Sequence, residues 1–238
     1  MALIDDVYAA HGGLDRWRRL DRFTVQFSMN GGQLEQRGRP GALKEVAAQG
    51  CTRKPWLRIA GFPAADKCVV YRPERMAIET LVGASLARLE NPLAAIHNVA
   101  DDGRWDDFQV GYFCSVLLWN CLVSPFLLSE PGVELEEVGP WTERQETWRC
   151  LRAIFPGELG AIAQEQSFYF DGNGLQQRVD YSAGDSGVTR LAKYSSAHQV
   201  FSGIMVPTLH RSLILETDGT VVRRRSHVDI EIFDAQFE

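Results

Sequence analysis

Glu165-Gln-Ser-Phe-Tyr-Phe-Asp-Gly-Asn-Gly-Leu175 opens the stretch that decides the fold. Phe168 and Phe170 fall on one face of an extended segment, and Ser167 and Tyr169 on the other. Asp171-Gly-Asn-Gly174 supplies residues that tolerate positive φ and closes a hairpin. Leu175 to Ser182 then sets Leu175, Val179 and Tyr181 at alternate positions, with Gln176, Arg178 and Asp180 between them. Leu191 to Ser195, Val200 to Val206 and Leu209 to Leu215 continue the two-residue period. The pattern predicts an antiparallel meander with one apolar face, and that face needs a cover.

The flanking sequence supplies more strands and the cover. Phe23 to Met29, Gln33 to Gly38, Ala42 to Ala48, Trp56 to Phe62, Lys67 to Arg72 and Arg75 to Thr80 read as short strands with glycine or proline at most joints. Leu81 to Ala87 and Pro92 to Val99 read as short helices or loops. Val133 to Val138 and Arg144 to Phe155 return to the strand pattern, and Thr220 to Phe233 reads as one long last strand. Ala2 to Ala10 and Leu14 to Leu20 read as short helices separated by His11-Gly12-Gly13, where glycine accepts the left-handed conformation that ends a helix. Trp105 to Leu128 is the most apolar stretch. Phe113, Val116, Leu117, Leu118, Leu122 and Val123 cover almost the whole circumference of a helix, which predicts burial on most sides. Asp106, Asp107, Gln109 and Asn120 argue for a core helix over a membrane span. The expected fold is α+β: a strongly curved antiparallel sheet, an open half-barrel, with helices plugging its concave face. No linker or repeat divides the chain, so one domain over 1–238 is expected.

Composition narrows the function classes. The 238 residues carry a formal net charge of −6, which argues against a nucleic-acid partner. The one dense basic run, Arg223-Arg224-Arg225, lies in a strand pattern that sends alternate side chains to opposite faces. Cys51, Cys68, Cys114, Cys121 and Cys150 are odd in number, scattered and without a Cys-x-x-Cys pair, so free thiols are expected and neither a disulfide framework nor a zinc site is. The N-terminus turns acidic at Asp5 and lacks the basic and long apolar segments of an export signal, so a cytoplasmic location is expected.

Two blocks carry a resemblance. The first is Ala9-Ala-His-Gly-Gly-Leu-Asp-Arg-Trp17, followed directly by a strand. The second is Gln166-Ser-Phe-Tyr-Phe-Asp-Gly-Asn-Gly-Leu175 with Arg178-Val-Asp-Tyr181 and Gly203-Ile-Met-Val-Pro-Thr208. Together they resemble the LolA/RseB-like incomplete β-barrel proteins, in which helices plug the concave side. Lipoprotein carriers of this group look like cups for lipid chains. The middle block, Trp105 to Phe113 and Ser124-Pro-Phe-Leu-Leu128, resembles a bacterial subgroup without an assigned function. The resemblance implies a cavity for a hydrophobic small molecule.

Motifs for common chemistry are absent. No nucleophile elbow, P-loop or dinucleotide fingerprint occurs, and neither a cofactor nor a metal is expected. Asp180, Tyr181 and His210, on neighbouring strands, are candidates for a proton-transfer pair. His11, His97 and His198 read as histidines satisfied near loops or a helix end. Aromatic side chains of the helix and sheet suggest an apolar ligand site lined by Tyr112, Phe113, Trp119, Asn120, Trp148, Arg152, Phe168, Tyr169 and His210. The leading expectation is a carrier or sequestering protein for a lipophilic molecule. The alternative is an isomerase or cyclase working in the same cavity.

Overall fold

A computed structural model describes residues 2–96, 102–183 and 189–238. In chain order its elements are α1 (Leu3–Ala10), α2 (Leu14–Trp17), β1 (Arg22–Asn30), α3 (Gly32–Gln36), β2 (Leu43–Cys51), β3 (Leu57–Ala60), β4 (Lys67–Arg72), β5 (Arg75–Thr80) and β6 (Ser85–Glu90). They continue with α4 (Pro92–Ile96), α5 (Asp107–Val123), β7 (Glu134–Glu143), β8 (Glu146–Ile154), β9 (Glu165–Phe170), β10 (Gln176–Ala183), β11 (Thr189–Phe201), β12 (Ile204–Leu215), β13 (Val221–Val222) and β14 (Val228–Phe237). A 3₁₀ turn at Phe126–Ser129 follows α5. The strands make an antiparallel sheet of 14 strands that starts at β6 and ends at β7 and is not closed into a barrel.

Contacts gather the chain into two compact units, Met1–Leu20 with Val123–His227, and Asp21–Leu122 with Val228–Glu238. In the second unit the order is β6-β5-β4-β3-β2-β1-β14. Cross-strand pairing puts Val25 beside Ala48, Ala48 beside Ile59 and Ile59 beside Val69. Tyr71 pairs with Met76, and Phe27 with Val46 and Ile232. All of these side chains are buried, and directly opposed residues share one face. Helix α5 covers that face. A Cβ on Gly111 would lie 2.8 Å from Val69 Cγ1 and 3.2 Å from Met76 Cε, so the missing side chain sets how closely helix and sheet approach. Trp119 fixes the other end by donating its Nε1–H to the Cys51 carbonyl at 2.8 Å. Phe23 lies opposite Gly50, and a Cβ there would sit 2.1 Å from the ring. Gly50→Ala forces that buried ring to move and is expected to cost about 1–3 kcal/mol in urea unfolding.

In the first unit the order is β12-β11-β10-β9-β8-β7, with β13 paired to β12. Leu151, Phe168, Val179, Tyr181 and Leu191 share the face that packs with Leu3 and Val7 of α1. The turn after α1 is pinned by glycines. Gly12 has φ +107°, and a Cβ on it would lie 2.2 Å from the Gly203 carbonyl oxygen. Gly174 (φ +80°) meets the Asp6 carbonyl in the same way. The two blocks that carry the resemblance are thus touching surfaces of α1 and two hairpin turns.

Several sequence expectations need correction. Gln33 to Gly38 is not a strand; α3 occupies Gly32–Gln36. Ser85–Glu90 is a strand, not helix or loop, exposed on both faces except at Leu89. The expected strands Leu191 to Ser195 and Val200 to Val206 are parts of the longer β11 and β12, because Ser202 (φ +51°) and Gly203 (φ +80°) make the turn. Ala197 (φ +52°) lies inside β11, and the pairing with β12 keeps one register across it. The last long strand starts at Val228, eight residues later than Thr220, and runs on to Phe237. The end of the expected Pro92 to Val99 segment, with His97, lies outside the described residues. The five cysteines are free, and among the described residues no helix is long and apolar enough to cross a membrane.

Candidate functional site

Helix α5 has no polar face, as its sequence requires. Val110, Cys114, Leu117, Leu118, Cys121 and Leu122 are buried. Phe108, Tyr112, Phe113 and Val116 are only partly covered, and their spacing of four, one and three residues places them on one stripe. The Tyr112 ring meets Tyr71 edge-on at 5.7 Å, and Phe113 lies 4.9 Å from Trp105. Arg37 stacks over Trp105 at 5.5 Å, and Arg39 pairs with Asp107 at the start of the helix. These contacts anchor the stripe at its N-terminal end. Trp119 and Asn120, also expected at the site, do other work. Trp119 is 1% exposed and bonded to the Cys51 carbonyl. Asn120 donates from Nδ2 to the Val116 carbonyl one turn back at 2.9 Å. Of the four α5 residues expected in the site, Tyr112 and Phe113 are on the partly covered stripe.

The remaining expected residues belong to the first unit and divide between two faces. Adjacent strand residues point to opposite sides. Phe168 pairs with Leu151 and Val179 on the α1 side. Tyr169 pairs with Cys150 and Arg178 on the other side, where it meets Trp148. Phe168 therefore cannot line one cavity with Trp148 and Tyr169. Arg152 is partly exposed and spends its charge on Glu165 at 2.7 Å and Glu136 at 3.6 Å. The same parity separates Asp180 from Tyr181. Tyr181 is level with Leu191 and Ile214, two strands from His210 and four residues along. Standard strand spacing and rise put the two backbones roughly 16 Å apart, too far for a hydrogen-bonded pair.

Asp180 belongs to a charged cluster that sequence reading missed. The Arg178 side chain, 1% exposed, forks onto Asp180 with Nε–Oδ1 at 2.6 Å and Nη2–Oδ2 at 2.7 Å. Its Nη1 donates to Glu143 at 2.8 Å. Trp141, Tyr169 and Tyr194 stand round the guanidinium at 5.1–5.4 Å. Arg223 closes the cluster against Glu143. Burial pushes Asp180 above the ordinary carboxylate range, and the Arg178 fork pulls against it without overcoming it. Burial also acts to raise Glu143, but hydrogen bonds from Tyr194, Trp141 and Arg178 outweigh it and hold the carboxyl low. The signal available in sequence was the register itself: Cys150, Tyr169, Arg178 and Tyr194 lie in one cross-strand row.

His210 lies on the α1 side, 3% exposed. The row Leu151, Phe168, Val179 continues across the sheet into Lys193 and Ser212, so the wall turns polar at β11 and β12. Ser195 Oγ is 3.3 Å from His210 Nδ1. Burial, then the Lys193 charge, push the imidazole down to about 3, with the Pro207 carbonyl opposing. His11 is fully buried and falls to about 4, chiefly through burial, while its Nδ1 bonds the Val7 carbonyl at 2.8 Å. Both folded values lie below the ordinary 6.5, so both rings stabilise the fold fully above pH 6.5 and lose that contribution as pH falls towards their folded values. His11→Asn, which keeps a donor for Val7, is expected to flatten the stability loss between pH 6.5 and 4 by about 3 kcal/mol, read from urea midpoints across pH.

No family model matches the chain, and no curated protein does. Solved structures do. A LolA superfamily protein from Nitrosomonas europaea aligns over 99% of this chain and 92% of its own, with TM-score 0.53 at 10% identity. A domain described as an outer membrane lipoprotein-sorting protein from Vibrio parahaemolyticus aligns over 99% and 91%, with TM-score 0.52 at 7% identity. The chain has a LolA-like fold. A DUF1329 family protein from Desulfovibrio piger gives the same result, with 98% and 94% coverage, TM-score 0.52 and 13% identity. These LolA-like neighbours match nearly the whole chain, and at such identities the likeness is one of fold.

Proposed function

We propose that the chain binds a lipophilic small molecule or acyl chain along the partly covered side of α5. The observation that carries this reading is the stripe Phe108, Tyr112, Phe113 and Val116, which keeps apolar surface in reach of solvent on a helix otherwise buried as core. An apolar ligand laid on such a stripe removes that surface from water at about 25 cal/mol per Å². The LolA-like fold supports it, since one structure of that fold is described by lipoprotein sorting. The carrier reading is preferred to an isomerase or cyclase because Tyr181 and His210 do not meet.

A fluorescent acyl analogue titrated into the protein tests this. Val116→Glu places a carboxylate on the stripe where water still reaches, so the fold tolerates it. It is expected to weaken binding by about tenfold or more with unchanged circular dichroism, because covering the charge is costly. Equal affinity in the variant counts against the site. Trp119→Glu is unsuitable here, since it buries a charge in the core.

A further inference from the structure

The two ends of the sheet are built differently. β7, at one end, carries Glu134, Glu136, Glu137 and Glu143, and Pro140 stands at a register shift between Val138 and Trp141. Like charges, a proline and a broken register are devices that keep a strand edge from pairing. β6, at the other end, pairs only with β5 among the described residues. From Ala87 to Glu90 it has no proline and no register shift, and its charges, Arg88 and Glu90, are opposite in sign. One step beyond the Arg75–Glu90 pair, the Asn91 N–H donates to the Glu74 carbonyl. Peptide groups alternate sides along a strand, so those of Arg88 and Glu90 point away from β5 into the open edge. Leu89 stands level with Met76, and Met76 with Tyr71. This apolar row lies under α5, where Met76 faces Gly111 and Tyr71 meets Tyr112, and it ends at the partly covered Leu89. Leu86 and Leu93, on either side of it in sequence, are exposed.

We propose that β6 is the interface of a homodimer, in which a second copy of this chain adds its own β6 antiparallel, with Leu89 opposite Leu89. The two-fold axis of such a pair keeps every side chain on its own face, so only residues an even number apart oppose one another. Of the registers centred within Ala87 to Glu90, those on Arg88 or Glu90 bring like charges face to face. A register centred on Ala87 pairs Arg88 with Leu86, which the irregularity opposite Ile78 and Glu79 leaves out of line. The Leu89 register puts Arg88 opposite Glu90 of the second copy, and Glu90 opposite Arg88. Arg75, level with Glu90 on β5, then makes the row alternate plus, minus, plus. The outward peptide groups of Arg88 and Glu90 face each other in this register, so backbone hydrogen bonds close each pair in both directions. On the other face Leu89 meets its symmetry mate, and the apolar row continues from Met76 of one copy to Met76 of the other. Leu86 comes level with Pro92 of the second copy, next to the exposed Leu93. An unrelated strand would satisfy the peptide groups but not the paired charges. The contact lies within the second unit and does not depend on ligand binding.

Strands of 6 residues make a small interface, so the dimer is expected to dissociate on dilution. Sedimentation velocity of the full chain from about 1 to about 500 μM is expected to show monomer passing into dimer. Arg88→Glu and Glu90→Arg each set like charges against one another and are expected to weaken the dimer about tenfold or more. Combined in one chain, the two substitutions restore opposite charges and are expected to bring the dimer back near its original strength. Both side chains are exposed, so the fold is left intact, which unchanged circular dichroism verifies. Leu89→Cys reads the register. Directly opposed residues outside the hydrogen-bonded pairs lie about 4.5 Å apart at Cα, within disulfide reach. Mild oxidation is expected to give a covalent dimer with Leu89→Cys and none with Arg88→Cys or the unaltered chain. A chain that stays monomeric at every concentration overturns the proposal and leaves the edge to a different partner. A dimer that ignores the charge substitutions, or that cross-links no better through Leu89→Cys than through Arg88→Cys, places the contact elsewhere and overturns it as well.

Discussion

Arg178→Ala is expected to lose about 3–5 kcal/mol of stability in urea unfolding, the range for removing one partner of a buried ion pair. The guanidinium is the centre of its cluster, forked onto Asp180, bonded to Glu143 and stacked among Trp141, Tyr169 and Tyr194. Its removal leaves two carboxylates facing a hole, with Arg223 at the rim beside Glu143. Arg178→Lys keeps the charge without the planar fork and is expected to fall between wild type and alanine. Adding Asp180→Asn to Arg178→Ala is expected to recover part of the loss, because the amide costs less to bury than the stranded carboxylate. A change below about 1 kcal/mol for Arg178→Ala would show that the cluster is a solvated surface network.

Leu117→Ala is expected to cost about 2–5 kcal/mol, the transfer of the lost methyl groups plus the hole they leave. Leu117 is buried on α5, the helix that Gly111 brings against Val69 and Met76. The neighbouring turns are held by the Trp119 bond to Cys51 and by the Tyr71–Tyr112 contact, so the helix has little freedom to sink into the gap. Chemical unfolding with an unchanged denaturant slope reads this directly. A neutral result would place α5 on the surface and remove the basis for the stripe beside it.

Much of the fold was legible because its strands keep a strict two-residue period. Lys67–Arg72 and Arg75–Thr80 stand where the alternation places them, and the all-round apolar character of Phe113 to Val123 announced a core helix. The misreadings have local causes. Ser85–Glu90 is an edge strand with both faces wet, so it carries no alternation to detect. Ala197 takes a positive φ inside β11 without disturbing its register, and Pro207 inside β12 reads as a joint. The expected site suffered from parity. Phe168 and Tyr169 are adjacent, as are Asp180 and Tyr181, and each pair was drawn into one cavity although a strand must send its members to opposite faces. The Arg178 cluster depends on register between β8, β9, β10 and β11, which alternation within one strand does not specify.

The most direct test of lipophilic binding on α5 is photolabelling with a diazirine-bearing fatty acyl probe, followed by peptide mapping. The account predicts saturable labelling of the peptide containing Phe108, Tyr112, Phe113 and Val116, competed away by unlabelled acyl chain and lost in Val116→Glu. Saturable labelling confined to other peptides, or labelling that excess unlabelled chain does not reduce, would contradict it.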